Sequence, residues 1–495
     1  MTKMTEEQKE LLRDLQGWGG PSEMSAFEAV MWRAEIDPSL RSTTTSVMIL
    51  DQEPDWERLY AAHMWLVQAV PRFRQRVVEP ALGVGPPVWV EDPDFDLDYH
   101  LRRVALPAPG SERQLFNLAQ SLAMTPFDKA RSPWEATVIE GLEVGRAGYV
   151  LKLHHSTSDG MGIMQLLSRV FSKQREPSHR PPPPKIDKFG PRPPSSRSLA
   201  TKQLRKSLLS APAEAAGVAS KIVKNIRKLA REPDAAKDSM EYLSSVRKVL
   251  GIKPVKGSGL FKRRSLSWRF DGIELPLADL KQAAKATEGT LNDVFLAALI
   301  RGFRLYHDEM GVSVSEIPIG FPISLRKEGD PMGGNKFAGS QYAAPLHETD
   351  PVALVRNIQR FVRDTRAEPA MDIVIRLMPI ITRLPLSAVT ALTGEFTRAQ
   401  DAQISNVPGL PYPVYMAGAE ITHIYPFAPV PGCGMMIVLL THNGRCCIGV
   451  NSDRAAVSEP ELLMECLEKG IAELVNYGKP AKKTSKTTST RKSSK

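Results

Sequence analysis

The sequence predicts an α/β (α+β) fold of two domains, each a mixed sheet with helices, joined by a Pro-rich and helical linker. Three observations support this. At 495 residues the chain exceeds what one ordinary core accommodates. Strand-like and helix-like periodicities alternate within 1–175 and again within 261–478. Between them the composition breaks: Pro181 to Pro184, then Pro191, Pro193 and Pro194, mark an extended linker.

In the first unit, Met24 to Ala34 and Trp56 to Ala69 carry amphipathic helical patterns. Strand-like segments follow at Val88–Val90, Ala136–Ile139 and Tyr149–Leu153. After Asp159-Gly160 the spacing of Met164, Leu167 and Val170 resumes a 3.6-residue period. Residues 149–172 therefore read as strand, short polar loop, helix. The segment 176–260 is read as linker and basic amphipathic helices. Leu204, Leu208, Ala211, Ala215, Val218, Ile222, Ile226 and Leu229 form an apolar stripe there, and Pro212 is expected to split it into two helices. Lys202 to Arg231 holds eight basic residues against one acid, Glu214. The second unit, 261–478, shows a β-like entry at Ser265–Phe270, a helix at Asn292–Tyr306, β-like runs at Met435–Leu440 and Cys446–Val450, and a closing helix at Pro460–Leu474. The Lys/Ser/Thr tail, 479–495, cannot bury a core and is expected to be disordered.

Hydrophobic content of 42% and charged content of 24% fit a soluble globular protein. The formal charge of +10 is uneven, because seven Lys/Arg without an acid lie between Lys479 and Lys495, leaving about +3 for the rest. Cys433, Cys446, Cys447 and Cys466 form no disulfide framework or zinc spacing, so a reducing, cytoplasmic setting is expected. No signal-peptide core is read at Met1–Gln16. Met371–Leu392 comes nearest to a spanning helix but is interrupted by Arg376, Pro379, Arg383 and Pro385. No base-reading motif suggests nucleic acid.

The chemical signal is His154-His155-Ser-Thr-Ser-Asp159-Gly160. An alcohol attacking an acyl carbonyl needs a base to take its proton, and neutral histidine suits that role. Asp159 is read as shaping the turn by accepting orphan backbone N–H groups at a helix start. Gly160 and Gly162 permit close chain approach. A metal site is disfavoured because neighbouring strand residues point to opposite faces.

Several motifs occur in order. They are Met24-Ser25-Ala26-Phe27-Glu28, Pro71-Arg72-Phe73-Arg74-Gln75-Arg76, Asp98-Tyr99-His100, Pro133-Trp134-Glu135, Leu291-Asn292-Asp293-Val294, Pro322-Ile323-Ser324-Leu325-Arg326 with Gly334-Asn335-Lys336-Phe337, and Ser405-Asn406-Val407-Pro408-Gly409. With the histidine motif they make the chain resemble the bacterial wax ester synthase/diacylglycerol acyltransferase family, within the chloramphenicol acetyltransferase-like superfold. Departures are Glu28 where the family usually has Asp, Ser132 before Pro133-Trp134, and the polar Ser156-Thr157-Ser158.

The resemblance implies acyl-CoA-dependent esterification of a lipid hydroxyl, of diacylglycerol or a long-chain alcohol, in a tunnel between two chloramphenicol acetyltransferase-like domains. His155 would be the general base, His154 a supporting residue, Asp159 and Gly160 structural, and Arg326 a partner for Asp159. Asn292 would either donate to the oxyanion or merely cap a helix beginning at Asp293, and Ser324 and Asn406 would either meet substrate or shape Pro-flanked turns. No metal and no cofactor are expected; acyl-CoA is a substrate. Lipid substrates imply peripheral contact with the inner face of the plasma membrane or with lipid bodies, through residues 202–231 or the basic tail. Competing readings are a carrier-protein-dependent condensation enzyme of the same superfold and a catalytically inactive lipid-coating protein.

Overall fold

A computed structural model describes residues 4–83, 85–176, 180–184, 193–205, 256–324, 337–367 and 386–478. Two six-stranded sheets organise them. The first has the order β11-β12-β1-β6-β5-β4, from β1 (Thr43–Leu50), β4 (Leu101–Ala105), β5 (Trp134–Leu142), β6 (Arg146–His154), β11 (Tyr415–Met416) and β12 (Ala419–Phe427). The second runs β7-β14-β13-β10-β8-β9, from β7 (Trp268–Pro276), β8 (Glu316–Ser324), β9 (Phe337–Pro345), β10 (Ala402–Val407), β13 (Met435–His442) and β14 (Arg445–Asp453). Both are mixed: β4 runs parallel to β5, and β10 runs parallel to β13 and β8. A short hairpin pairs β2 (Gln75–Val78) with β3 (Val88–Glu91).

The helices are α1 (Glu6–Gly17), α2 (Ala26–Ala34), α3 (Trp56–Ala69), α4 (Leu97–His100), α5 (Glu112–Met124) and α6 (Gly160–Val170) in the first half. In the second they are α7 (Leu277–Ala286), α8 (Leu291–Glu309), α9 (Pro351–Ala367), α10 (Leu386–Arg398) and α11 (Pro460–Gly478). Capping boxes begin four of them, pairing Thr5 with Gln8, Ser25 with Glu28, Ser111 with Gln114 and Thr290 with Asp293. Each box satisfies two N–H groups that a helix start leaves orphaned.

Strand alternation sets the two faces of the first sheet. Met48, Leu50, Tyr149, Leu151 and Leu153 pack against Leu59 of α3 and Leu166 and Leu167 of α6. On the opposite face, Val47, Ile49 and Val150 join Leu115 and Phe116 of α5 and, from the other half, Phe270, Tyr425, Phe427 and Val438. That cluster lies between the sheets and fastens them together. Helices α8 and α11 cover the second sheet and approach closely, since a Cβ on Gly302 would stand 2.7 Å from Leu467 Cα.

One connection departs from a simple division into halves. β12 comes from the second half of the chain but pairs antiparallel with β1, Thr45 opposite Phe427. Two strands of late sequence thus complete the early sheet, and the halves interlock through backbone hydrogen bonds. The β-like entry expected at Ser265 begins at Trp268. Residues 206–231 of the basic stretch, 371–385 of the apolar segment, and the tail lie outside the described residues. Among the described residues no helix is long and apolar enough to cross a membrane.

Candidate active site

The histidine motif sits where β6 ends and α6 begins. His154 is the last residue of β6, opposite Thr43 of β1, and the ladder continues one step as the His155 N–H donates to Ser42 O at 2.8 Å. The chain then turns: Thr157 N–H donates to His154 O at 2.9 Å, and Asp159 caps α6 by accepting the Gly162 N–H at 2.8 Å. From below, the Trp18 indole donates to Gly162 O at 2.9 Å and pins the first turn of α6. Asp159 stands as the N-cap of α6. Asp159→Ala should remove this cap and cost about 1 kcal/mol of stability, seen as a lower urea midpoint at unchanged slope; an unchanged midpoint would refute the capping role.

The pleat sends the two histidines to opposite sides. His154 is wholly buried, edge-on to Trp32 at 4.9 Å, whereas His155 is half-buried. His154 Nδ1 accepts the Ser156 N–H at 3.1 Å and stands 2.7 Å from Ser156 Oγ. Its Nε2 faces the Glu35 carboxylate at 3.3 Å, an electrostatic contact outside good hydrogen-bond alignment. Burial pushes the Glu35 carboxyl up, but His154, the Ser42 N–H and Arg41 outweigh that and hold it down at about 2.

Three motifs beyond the histidines form the floor of the site. His154 N–H donates to Pro133 O at 3.0 Å. The neighbouring Trp134 donates its indole N–H to Phe73 O at 2.6 Å and stacks on His100, whose Nδ1 meets Trp134 O at 2.7 Å. The Pro71–Arg76, Asp98–His100 and Pro133–Glu135 segments therefore brace one another beneath the loop. Glu135 continues the brace, 3.5 Å from buried Lys152 Nζ on the His154 face of β6.

The second half reaches the loop through β10. Val407, its last residue, packs on Gly160, where a Cβ would stand 3.0 Å from Val407 Cγ2. Gly160 is required for that approach, and it brings the Ser405–Gly409 motif to the histidine loop. Asn406 precedes this contact, half-buried on β10 opposite Leu439 of β13. It is a strand residue, which fits the substrate-site reading and not the loop-shaping one. Ser324 likewise ends β8, opposite Phe337. Asn292 is the second residue of α8; Thr290, not Asn292, is the cap, so the helix starts two residues earlier than expected. Among the described residues no hydrogen bond joins Asn292 to the histidine loop. Arg326 lies outside the described residues.

Sequence reasoning missed Glu35. One local signal existed: it occupies the C-cap of α2, where the helix dipole disfavours an acid, so its presence asks for a partner elsewhere. Among the described residues no three His, Cys, Asp or Glu side chains converge as metal ligands, and all four cysteines are free and buried.

Comparisons with known proteins agree with this geometry. Residues 24–295 match the wax ester synthase/diacylglycerol acyltransferase catalytic domain, and residues 333–475 match the WS/DGAT C-terminal domain. A putative diacylglycerol O-acyltransferase of Mycobacterium tuberculosis is 36% identical over 463 residues, covering 92% of this chain and 91% of that protein. Among solved structures, the wax ester synthase/diacylglycerol acyltransferase from Marinobacter aquaeolei VT8 superposes with a TM-score of 0.58 at 19% identity, covering 97% of this chain and all of that one. The starter condensation domain of rhizomide synthetase, with C8-CoA and Leu-SNAC, gives 0.57 at 13% identity over 96% of this chain and 97% of its own, a likeness of fold alone. The chain belongs to the wax ester synthase/diacylglycerol acyltransferase family.

Proposed function

We propose that this protein transfers an acyl group from acyl-CoA to the hydroxyl of a lipid alcohol, diacylglycerol or a long-chain alcohol, with His155 as general base. The observation that carries this reading is the convergence at Gly160, where a strand of the second half packs against the loop that holds His155. A base placed at such a junction can be approached by two substrates from opposite ends of a tunnel. His155 would take the hydroxyl proton as the oxygen attacks the thioester carbonyl, and its imidazolium would then protonate the leaving CoA thiolate. This direct transfer requires no covalent acyl-enzyme, in keeping with cysteines that burial raises well above the usual thiol range. Asn406 and Asn292 remain the candidates for meeting the carbonyl oxygen.

Both substrates are long-chain lipids, which supports work at a membrane or lipid-body surface by peripheral contact on the cytoplasmic side. The direct test supplies purified protein with labelled palmitoyl-CoA and either diacylglycerol or hexadecanol, and identifies the ester. Labelled triacylglycerol or wax ester is expected. Free CoA without ester from either acceptor would overturn the reading.

A further inference from the structure

Glu35 is placed where a negative charge is unfavourable twice over. It follows the carbonyl end of α2, and only 10% of its side-chain surface is exposed. It stays ionised because of what surrounds it. Its Oε1 accepts the Ser42 N–H at 2.7 Å and faces His154 Nε2 at 3.3 Å. The carbonyl of that same Ser42 accepts the His155 N–H at 2.8 Å. One carboxylate therefore holds the ring of the first histidine directly and the backbone of the second through a single residue.

The other side of the His154 ring fixes its tautomer. A backbone N–H can only donate, so Nδ1, which receives the Ser156 N–H at 3.1 Å, carries no proton, and the neutral ring holds its proton on Nε2, towards Glu35. The remaining charges near this cluster are Arg41, which donates to Met124 O, the buried Lys152–Glu135 pair on the same sheet face, Lys129 over Trp32, and Asp159 at the start of α6.

We propose that Glu35 is a positioning residue for the tandem histidines, orienting the His154 ring and, through Ser42, the His155 backbone. The proposal rests on the esterification reading for its kinetic consequence, but the contact between Glu35 and the His154 ring is independent of turnover.

Glu35→Gln keeps an acceptor for Ser42 and removes only the charge. Its kcat should fall about 10- to 100-fold while KM for acyl-CoA stays within about twofold. His154→Ala combined with Glu35→Gln should be no slower than His154→Ala alone, since the two act as one unit. A merely structural glutamate would lower the melting temperature without this selective loss of kcat. Parent-like kcat in Glu35→Gln, or losses that multiply in the double variant, would overturn the proposal. If Glu35→Gln does not fold, Glu35→Asp withdraws the carboxylate from the ring but keeps its charge, and should lose at least about fivefold in kcat; full activity there overturns it equally. Should the parent form no ester at all, the esterification reading fails by itself. The ring-nitrogen spectrum of ¹⁵N-histidine-labelled protein then decides: a His154 Nε2–H resonance displaced in Glu35→Gln from its parent position supports the contact, and identical spectra overturn it.

Discussion

His155→Ala is expected to abolish ester formation, with kcat reduced by about 10² to 10⁴ and the fold intact. The loop is held by the His155 backbone N–H on Ser42 and by the Asp159 cap, and alanine keeps both. His154→Ala should behave in the opposite way. It empties a buried ring site beside Trp32 and leaves the Glu35 carboxylate without its partner, a loss of about 3 kcal/mol. Thermal melting alongside the acylation assay separates the two: His155→Ala melts with the parent and is inactive, and His154→Ala melts earlier. Parental turnover in His155→Ala would remove the base assignment.

What local pattern could show was legible in the sequence. Helix α3 spans Trp56–Ala69 as its periodicity predicts, and the strand–loop–helix at 149–172 appears as β6, the histidine loop and α6. The missed pieces depend on distant partners. β1 opens Thr-Thr-Thr-Ser, which reads as polar, yet it is flanked by β6 and β12, with Thr43 and Thr45 buried. β12 gives no local hint that it belongs to the early sheet, because its register is set by long-range pairing with β1. The prolines near Ser324 suggested a turn. Beyond Gly320, however, β8 pairs with β9 alone, so Pro322 sits at what is locally a sheet edge, where a missing N–H is tolerated. The same division holds for the site. His154, His155 and Asp159 are close in sequence and could be found from spacing, whereas Glu35 and Val407 join them only through tertiary packing.

Gly409→Ala is expected to be the most damaging single methyl near the site, costing about 3 kcal/mol and lowering the melting temperature by several degrees. Gly409 follows β10 and donates its N–H to Thr441 Oγ1 at 3.2 Å. A Cβ there would fall on the Thr441 carbonyl oxygen and stand 2.8 Å from Leu440 Cδ2. Both residues belong to β13, an interior strand fixed by β14 on one side and β10 on the other, so the obstacle is backbone that cannot rotate away. Gly160→Ala provides the control. Its new methyl meets the Val407 side chain, nearest at Cγ2 at 3.0 Å, which can give by a few tenths of an ångström. Its stability cost should stay near 1 kcal/mol, but the adjustment pushes β10 away from the histidine loop, so activity should fall further than stability does. Equal melting temperatures for Gly409→Ala and the parent would mean that the chain after β10 does not lie against β13, and that Val407 is not held against Gly160.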